Sequence, residues 1–373
     1  MQLADLRTPA LILDRTRLRR NLQRMRDRAA ELGVALRPHL KTAKSVDVAH
    51  LATDGHPGGI TVSTLAEAEY FTAAGYRDLL YSVGATPDKL TDIAAILQQH
   101  PGCRILLTTD DAAAASALAE RAAALKTRFD MLIEIDCGQH RAGIAPDGAE
   151  LPAIAAILAG SPWLQLNGVL THAGHSYNCN SVNAIRVIAE AERAAAVAAA
   201  ERLRAAGHDC PVVSVGSSPT ALFAERLDGV SEMRPGVYMF QDLFQAGLGC
   251  CDPQDIAVTL LATVVGGRRD GRVLIDAGGL ALSQDTCVAG PDGAPAYGRV
   301  WDAGGTQPLG DAHIAAVNQE HGFVVGANRT LQVGDRVRVL PNHACMMAAM
   351  HEQYHVVEDG EDIVEIWPRG HGW

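Results

Sequence analysis

The sequence predicts an α/β protein, a (β/α)8 TIM-type barrel followed by a C-terminal all-β domain. From about residue 10 to residue 245, short apolar runs alternate with Ala-rich helical stretches, the pattern of parallel strands joined by crossover helices. Eight such runs fit within roughly 230 residues, the usual size of such a barrel. Beyond about residue 250 the texture changes to alternating β-branched runs with tight turns. A chain of 373 residues also exceeds the size at which a single core stops growing. An open doubly wound sheet is the alternative for the first part, and it usually has fewer strands.

The elements follow in order. Arg15 to Leu32 reads as an amphipathic helix, with Leu18, Leu22, Met25 and Ala29 at helical spacing and Gly33 as its stop. The predicted barrel strands are Val34 to Leu40, Gly59 to Ser63, Leu79 to Val83, Arg104 to Leu107, Met131 to Ile135, Leu166 to Leu170, Val212 to Val215 and Glu232 to Tyr238. Predicted helices between them are Leu65 to Ala74, Pro87 to Gln99, Asp111 to Leu125, Pro152 to Ala159, Asn183 to Ala206 and Thr220 to Leu227. Pro152 suits a first helical turn, where its missing N–H costs nothing. The later strands are Ala257 to Val265, Arg272 to Ile275, His313 to Val317, Arg336 to Leu340 and Tyr354 to Val357. Gly266-Gly267 and Glu358-Asp359-Gly360 supply turn chemistry. Thr8 to Leu13 is a candidate strand for the same sheet. The boundaries expected are 10–248 for the barrel and 249–373, with residues 1–9, for the β domain.

Composition narrows the function. Hydrophobic residues at 48% and charged ones at 20% describe a chain that folds around a sizeable core. The 43 acids against 32 bases give a net charge of -11, which removes the electrostatic footprint of a nucleic-acid binder. No stretch reaches the roughly 18 apolar residues of a membrane span, and the first residues lack a signal-peptide apolar region, so the cytoplasm is the expected location. Eight cysteines without a CxxC pair read as reduced thiols rather than a disulfide framework, and Cys250-Cys251 receive no role.

Active sites of such barrels are built at the carboxyl ends of the strands. The first strand ends Arg37-Pro38-His39-Leu40-Lys41-Thr42-Ala43-Lys44, which sets two lysines and an imidazole at the mouth. A partly desolvated lysine beside other cations can attack carbonyls and form a Schiff base, although a solvated basic turn reads the same way. The sixth ends Thr171-His172-Ala173-Gly174-His175-Ser176-Tyr177, where two His with Ser and Tyr favour a site. The seventh ends Val215-Gly216-Ser217-Ser218-Pro219-Thr220, a turn into a helix that suits a phosphate. A Schiff-base lysine with a phosphate turn suggests pyridoxal phosphate. Near the C-terminus, Pro341-Asn342-His343-Ala344-Cys345 precedes His351 and His355. On a strand, His343 and Cys345 would point to one face and reach one soft divalent metal in an open catalytic site, and a buried thiol beside an ordinary histidine reads equally well.

These segments, with Thr8-Pro9-Ala10-Leu11, Arg234-Pro235-Gly236-Val237-Tyr238 and Glu320-His321-Gly322, resemble in the same order the fold-type III pyridoxal phosphate enzymes. The group resembled is that of the D-serine dehydratases and D-threonine aldolases, related to alanine racemase. The resemblance implies a cofactor-holding barrel, a C-terminal β domain and a homodimer. Lys41 matches the lysine that bonds the cofactor. His172 matches the imidazole stacked on the pyridine ring, and Gly216, Ser217 and Ser218 match the phosphate turn. Tyr238 matches a tyrosine near the phosphate, and Tyr177 belongs to the packet beside the cofactor. Arg141 and Arg234 sit where relatives keep arginines near the ring. His343 and Cys345 match the metal pair, for zinc or manganese, and His351 is a candidate base.

The resemblance therefore implies a metal-dependent lyase of D-3-hydroxy amino acids. Cys345 favours D-serine dehydration to pyruvate and ammonia, because several aldolases carry Asp in that slot. D-threonine cleavage to glycine and an aldehyde is the alternative, followed by 3-hydroxyaspartate aldolase or dehydratase activity and by racemisation. A non-catalytic pyridoxal phosphate carrier would typically lack the β domain and the metal pair.

Overall fold

The computed structural model describes residues 1–55, 59–267, 272–286, 288–289, 294–358 and 360–373. It divides into two compact units: Met25–Gly236 with Gly370–Trp373, and Met1–Arg24 with Val237–Arg369. The division falls within the helix Arg15–Glu31. Among the described residues no helix is long and apolar enough to cross a membrane.

The first unit carries a TIM-like sheet of eight parallel strands. Across the sheet they run Ala35–Leu36, Glu232–Met233, Val212–Val215, Leu164–Thr171, Phe129–Ile135, Arg104–Thr109, Asp78–Gly84 and Ile60–Val62. Leu80, Leu106, Leu132 and Leu170, from consecutive strands, pack into one buried layer. Each such side chain contributes about 1.5–3 kcal/mol by leaving water.

The strand predicted over Val34 to Leu40 is two residues long, because Pro38 has no N–H for a ladder. Pairing continues instead as single bonds: Arg37 N–H to Met233 O, His39 N–H to Pro235 O, Leu40 N–H to Thr61 O and Thr61 N–H to Pro38 O. These last two join the strands at the two ends of the sheet order. Glu232 to Tyr238 likewise forms a regular strand only over Glu232–Met233, with single bonds at Arg234 and Pro235 beyond it. The helix predicted from Thr220 to Leu227 runs from Ser218 to Phe223. A helix at Val46–Ala52, which the apolar periodicity did not mark, fills the place after the first strand.

The second unit is built on a nine-stranded sheet in the order Val273–Ile275, Gly322–Ala327, Pro308–Val317, Arg299–Asp302, Arg336–Leu340, Val258–Gly267, Ala10–Asp14, Gln353–Val357 and Ile363–Pro368. Val273–Ile275 also pairs with Val258–Gly267. The candidate N-terminal strand joins this sheet: Ala10 to Leu13 run antiparallel to Val258 to Leu261, and Ile12 to Asp14 run parallel to His355 to Val357. The turn Glu358-Asp359-Gly360 includes Asp359, which lies outside the described residues.

Candidate active site

In the barrel unit, a cavity of about 220 Å³ opens at the carboxyl ends of the strands and is lined by Lys41, Arg141, His172, Gly216 and Arg234, with His39, Ser63, Ser82, Glu134 and Leu170. Five of the sequence-predicted residues thus meet in one place. Of the two lysines in the first motif, Lys44 is paired at 3.1 Å with buried Glu67, whereas Lys41 faces the cavity.

His172 hydrogen-bonds through Nδ1 to Gly216 O at 3.0 Å. A carbonyl only accepts, so Nδ1 carries the proton and the ring is a neutral donor. Burial, with Lys41, Arg141 and Arg234 nearby, pushes its pKa down to about 3 against the bond to Gly216. His39 is also driven well below its ordinary value, by burial first and then by Lys41 and Arg234. Its Nε2 meets Ser82 Oγ at 3.1 Å, and its Nδ1 is buried without a partner. Burial raises the Glu134 carboxyl, although Arg141 opposes this.

Arg234 is held by a buried polar chain. It donates to Ser214 Oγ at 2.5 Å and Thr171 O at 2.6 Å, Ser214 donates to Glu232 at 2.6 Å, and Glu232 pairs with Arg37 at 2.8 Å. A chain of this kind fixes geometry more than it adds stability.

The turn predicted to take a phosphate is shaped by glycine. Gly216 has φ +123°, and a Cβ there would stand 2.9 Å from Arg234 N. The Ser217 hydroxyl is already engaged, with Ser176 Oγ at 2.8 Å and Thr220 Oγ1 at 2.9 Å. Ser218 N–H donates to the Tyr177 hydroxyl at 3.4 Å, which brings Tyr177 to the turn. His175 packs toward Gly138 instead of lining the cavity. A primary amine, a neutral imidazole, two guanidinium groups and a turn too close for any Cβ are chemically suited to pyridoxal phosphate.

In the β unit, His343 and Cys345 do not lie on a strand. Arg336–Leu340 ends first, His343 caps the helix Ala344–Ala348, and Cys345 sits in its first turn. Asp242 explains the bend: its carboxylate accepts Ala344 N–H at 3.0 Å and Gln245 N–H at 2.9 Å. Even so, the Cys345 sulfur is hydrogen-bonded to the His343 imidazole, so the two donors lie side by side. His343 Nδ1 donates to Asp285 Oδ2 at 2.8 Å, which leaves Nε2 for a metal, the arrangement typical of a ligating imidazole. Burial lowers the His343 pKa, but Cys345, Asp242 and Asp285 outweigh it and lift the pKa to about 9. Among the described residues no group of three or more His, Cys, Asp or Glu is arranged for a metal. His351 Nε2 donates to Ala281 O at 3.2 Å. Tyr238 is buried in the turn Val237–Met239 of this unit. The described cysteines are free thiols, and Cys287 lies outside the described residues.

Sequence reasoning did not single out Glu134, Asp242 or Asp285. An acid inside the apolar strand end Met131 to Ile135 was the available signal for Glu134. The two aspartates act through the fold and carry no local motif.

Residues 13–243 match the family model of the alanine racemase N-terminal domain, and residues 257–357 match that of the serine dehydratase domain. The chain is 43% identical to D-threo-3-hydroxyaspartate dehydratase of Delftia sp. over 100% of this chain and 99% of the other. It is 29% identical to D-serine dehydratase of Dictyostelium discoideum (99% and 98% covered) and 31% identical to D-threonine aldolase of Arthrobacter sp. (99% and 94% covered). Two solved variants of D-threo-3-hydroxyaspartate dehydratase superpose with TM-scores of 0.93 at 42% identity: a cysteine-to-alanine variant in the metal-free form, with 100% of both chains covered, and a histidine-to-alanine variant, with 100% and 97% covered. The chain belongs to the alanine racemase-like family of fold-type III pyridoxal phosphate enzymes, and it is a pyridoxal phosphate-dependent lyase.

Proposed function

We propose that this lyase is a metal-assisted dehydratase of D-3-hydroxy amino acids, acting on D-threo-3-hydroxyaspartate and on D-serine. The observation that carries the reading is the Asp285-held pair His343 and Cys345. In the solved dehydratase variants the altered histidine and cysteine stand in the same order and two residues apart, and that enzyme is a full-length relative.

In this reading Lys41 would bond the cofactor through its amine, His172 would face its ring, and the Gly216 turn with Ser218 and Tyr177 would hold its phosphate. The bound cofactor supplies an electron sink for the substrate's Cα. Lys41 Nζ then holds and moves the Cα proton. His172 stays neutral, so it offers the ring a flat apolar face and no competing proton. Arg141 and Arg234 give the cavity its positive charge, which suits the substrate carboxylate. His343 Nε2 and Cys345 Sγ would hold a zinc or manganese ion, whose Lewis acidity favours departure of a hydroxyl. Water loss followed by hydrolysis gives a 2-oxo acid and ammonia.

A steady-state comparison of D-threo-3-hydroxyaspartate, D-serine and D-threonine tests the substrate range. The reading expects the first two to be turned over, with turnover lost on chelation and restored by zinc or manganese. Turnover of D-threonine alone would reject it.

A further inference from the structure

The helix Val182–Ala205 buries Ile185, Ala189, Glu192, Ala196, Ala199, Ala200 and Leu203 along one face. Glu192 is the one charged residue in that stripe, and it is 2% exposed. A carboxyl group there is costly unless its oxygens are well paired. Its pairing is specific. Oε1 accepts the N–H of Ala173 at 2.9 Å and the N–H of Gly216 at 3.0 Å.

Those two amides belong to different strand ends. Ala173 follows His172, and Gly216 opens the turn into Ser217 and Ser218. The Gly216 carbonyl in turn accepts from His172 Nδ1 at 3.0 Å. A closed ring results: Glu192 to Gly216, Gly216 to His172, and back through Ala173 to Glu192. Beside this ring the Ser217 hydroxyl meets Thr220 Oγ1 at 2.9 Å and Ser176 Oγ at 2.8 Å.

We infer that Glu192 is a positioning residue for the cofactor, setting from behind the cavity wall the spacing between the His172 ring and the Gly216 turn. This rests on the reading in which those two elements take the ring and the phosphate. A merely structural acid would support the helix packing without changing how the cofactor is held.

The test uses the full chain with and without pyridoxal phosphate, and two variants. Glu192→Asp keeps the charge but withdraws the carboxylate by one methylene, so it cannot reach both amides. Glu192→Gln keeps the side-chain length and one oxygen for both amides. Cofactor affinity is read by titrating the stripped chain, and folding is read by the melting temperature without cofactor. Losing one of the two amide bonds predicts cofactor binding about tenfold or more weaker in Glu192→Asp, and keeping both predicts binding within about threefold of the parent in Glu192→Gln. Unchanged affinity in a folded Glu192→Asp chain overturns the inference, whatever the melting temperature does. Equal weakening in both variants also overturns it. Should Glu192→Asp not fold, a tenfold loss in Glu192→Gln remains sufficient to overturn it. An unmodified chain that binds no pyridoxal phosphate would reject the cofactor site itself, a distinct outcome.

Discussion

Replacing Gly216 with alanine adds one methyl group where the backbone of two strand ends comes closest. At φ +123° an L side chain is strained, and the new Cβ would stand 2.9 Å from Arg234 N, a backbone atom that cannot swing away. Strain of this kind costs about 1–3 kcal/mol. The cost falls on the native turn, where the Gly216 N–H meets Glu192 and its C=O meets His172. The cheapest relief is for the turn to move, so the penalty is expected in cofactor affinity. Converted at 1.4 kcal/mol per tenfold, Gly216→Ala should bind pyridoxal phosphate about 5- to 150-fold more weakly. Gly207→Ala is the control: φ is +87° with open space around the Cβ, and it precedes the strand Val212–Val215, whose other end opens into the cavity. It should lower the melting temperature by the strain alone and leave cofactor affinity unchanged. Equal affinity in Gly216→Ala and the parent chain would refute the role assigned to this turn.

Three further outcomes follow from the site. Lys41→Ala should lose the visible absorption band of covalently bound cofactor, and a band that persists would remove Lys41 from its role. Asp285→Ala should weaken zinc binding about 10- to 100-fold, measured by competition with a chromogenic chelator, because Nδ1 of His343 loses its orienting partner. An unchanged zinc affinity would break the link between Asp285 and the metal pair. The third concerns acid: burial holds His172 at about 3 when folded against 6.5 ordinarily, so the unfolded chain takes the proton first as pH falls. Its stability contribution is therefore complete above about pH 6.5 and is lost progressively toward about pH 3. Between about pH 7.5 and about pH 5.5, His172→Gln should lose about 1.4 kcal/mol less unfolding free energy than the parent, by urea melts. An identical loss would mean that His172 is not held neutral.

Much of this was legible along the chain because apolar runs and Ala-rich periodicity report directly on buried strands and packed helices. Phe129–Ile135, Leu164–Thr171 and Val212–Val215 each sit on such a run. Val46–Ala52 escaped because seven residues are too few for a 3.6-residue period to stand out. Val34 to Leu40 misled because a proline breaks the ladder while single bonds continue the pairing. Motif residues such as Lys41, His172 and Gly216 were readable because each stands at a strand end, where polar residues interrupt an apolar run. Glu192 was hidden for the opposite reason: an acid on an Ala-rich helix reads as solvent-facing, and only tertiary packing reveals that it faces inward. His343 and Cys345 were placed on the wrong element, because Asp242, about a hundred residues earlier, turns the chain into a helix there.

The central claim is dehydration. Incubating the purified chain, loaded with pyridoxal phosphate and zinc, with D-threo-3-hydroxyaspartate and separately with D-serine, then identifying the products by mass, tests it most directly. The account predicts oxaloacetate with ammonia from the first and pyruvate with ammonia from the second. Glycine accompanied by an aldehyde, from either substrate, would contradict it.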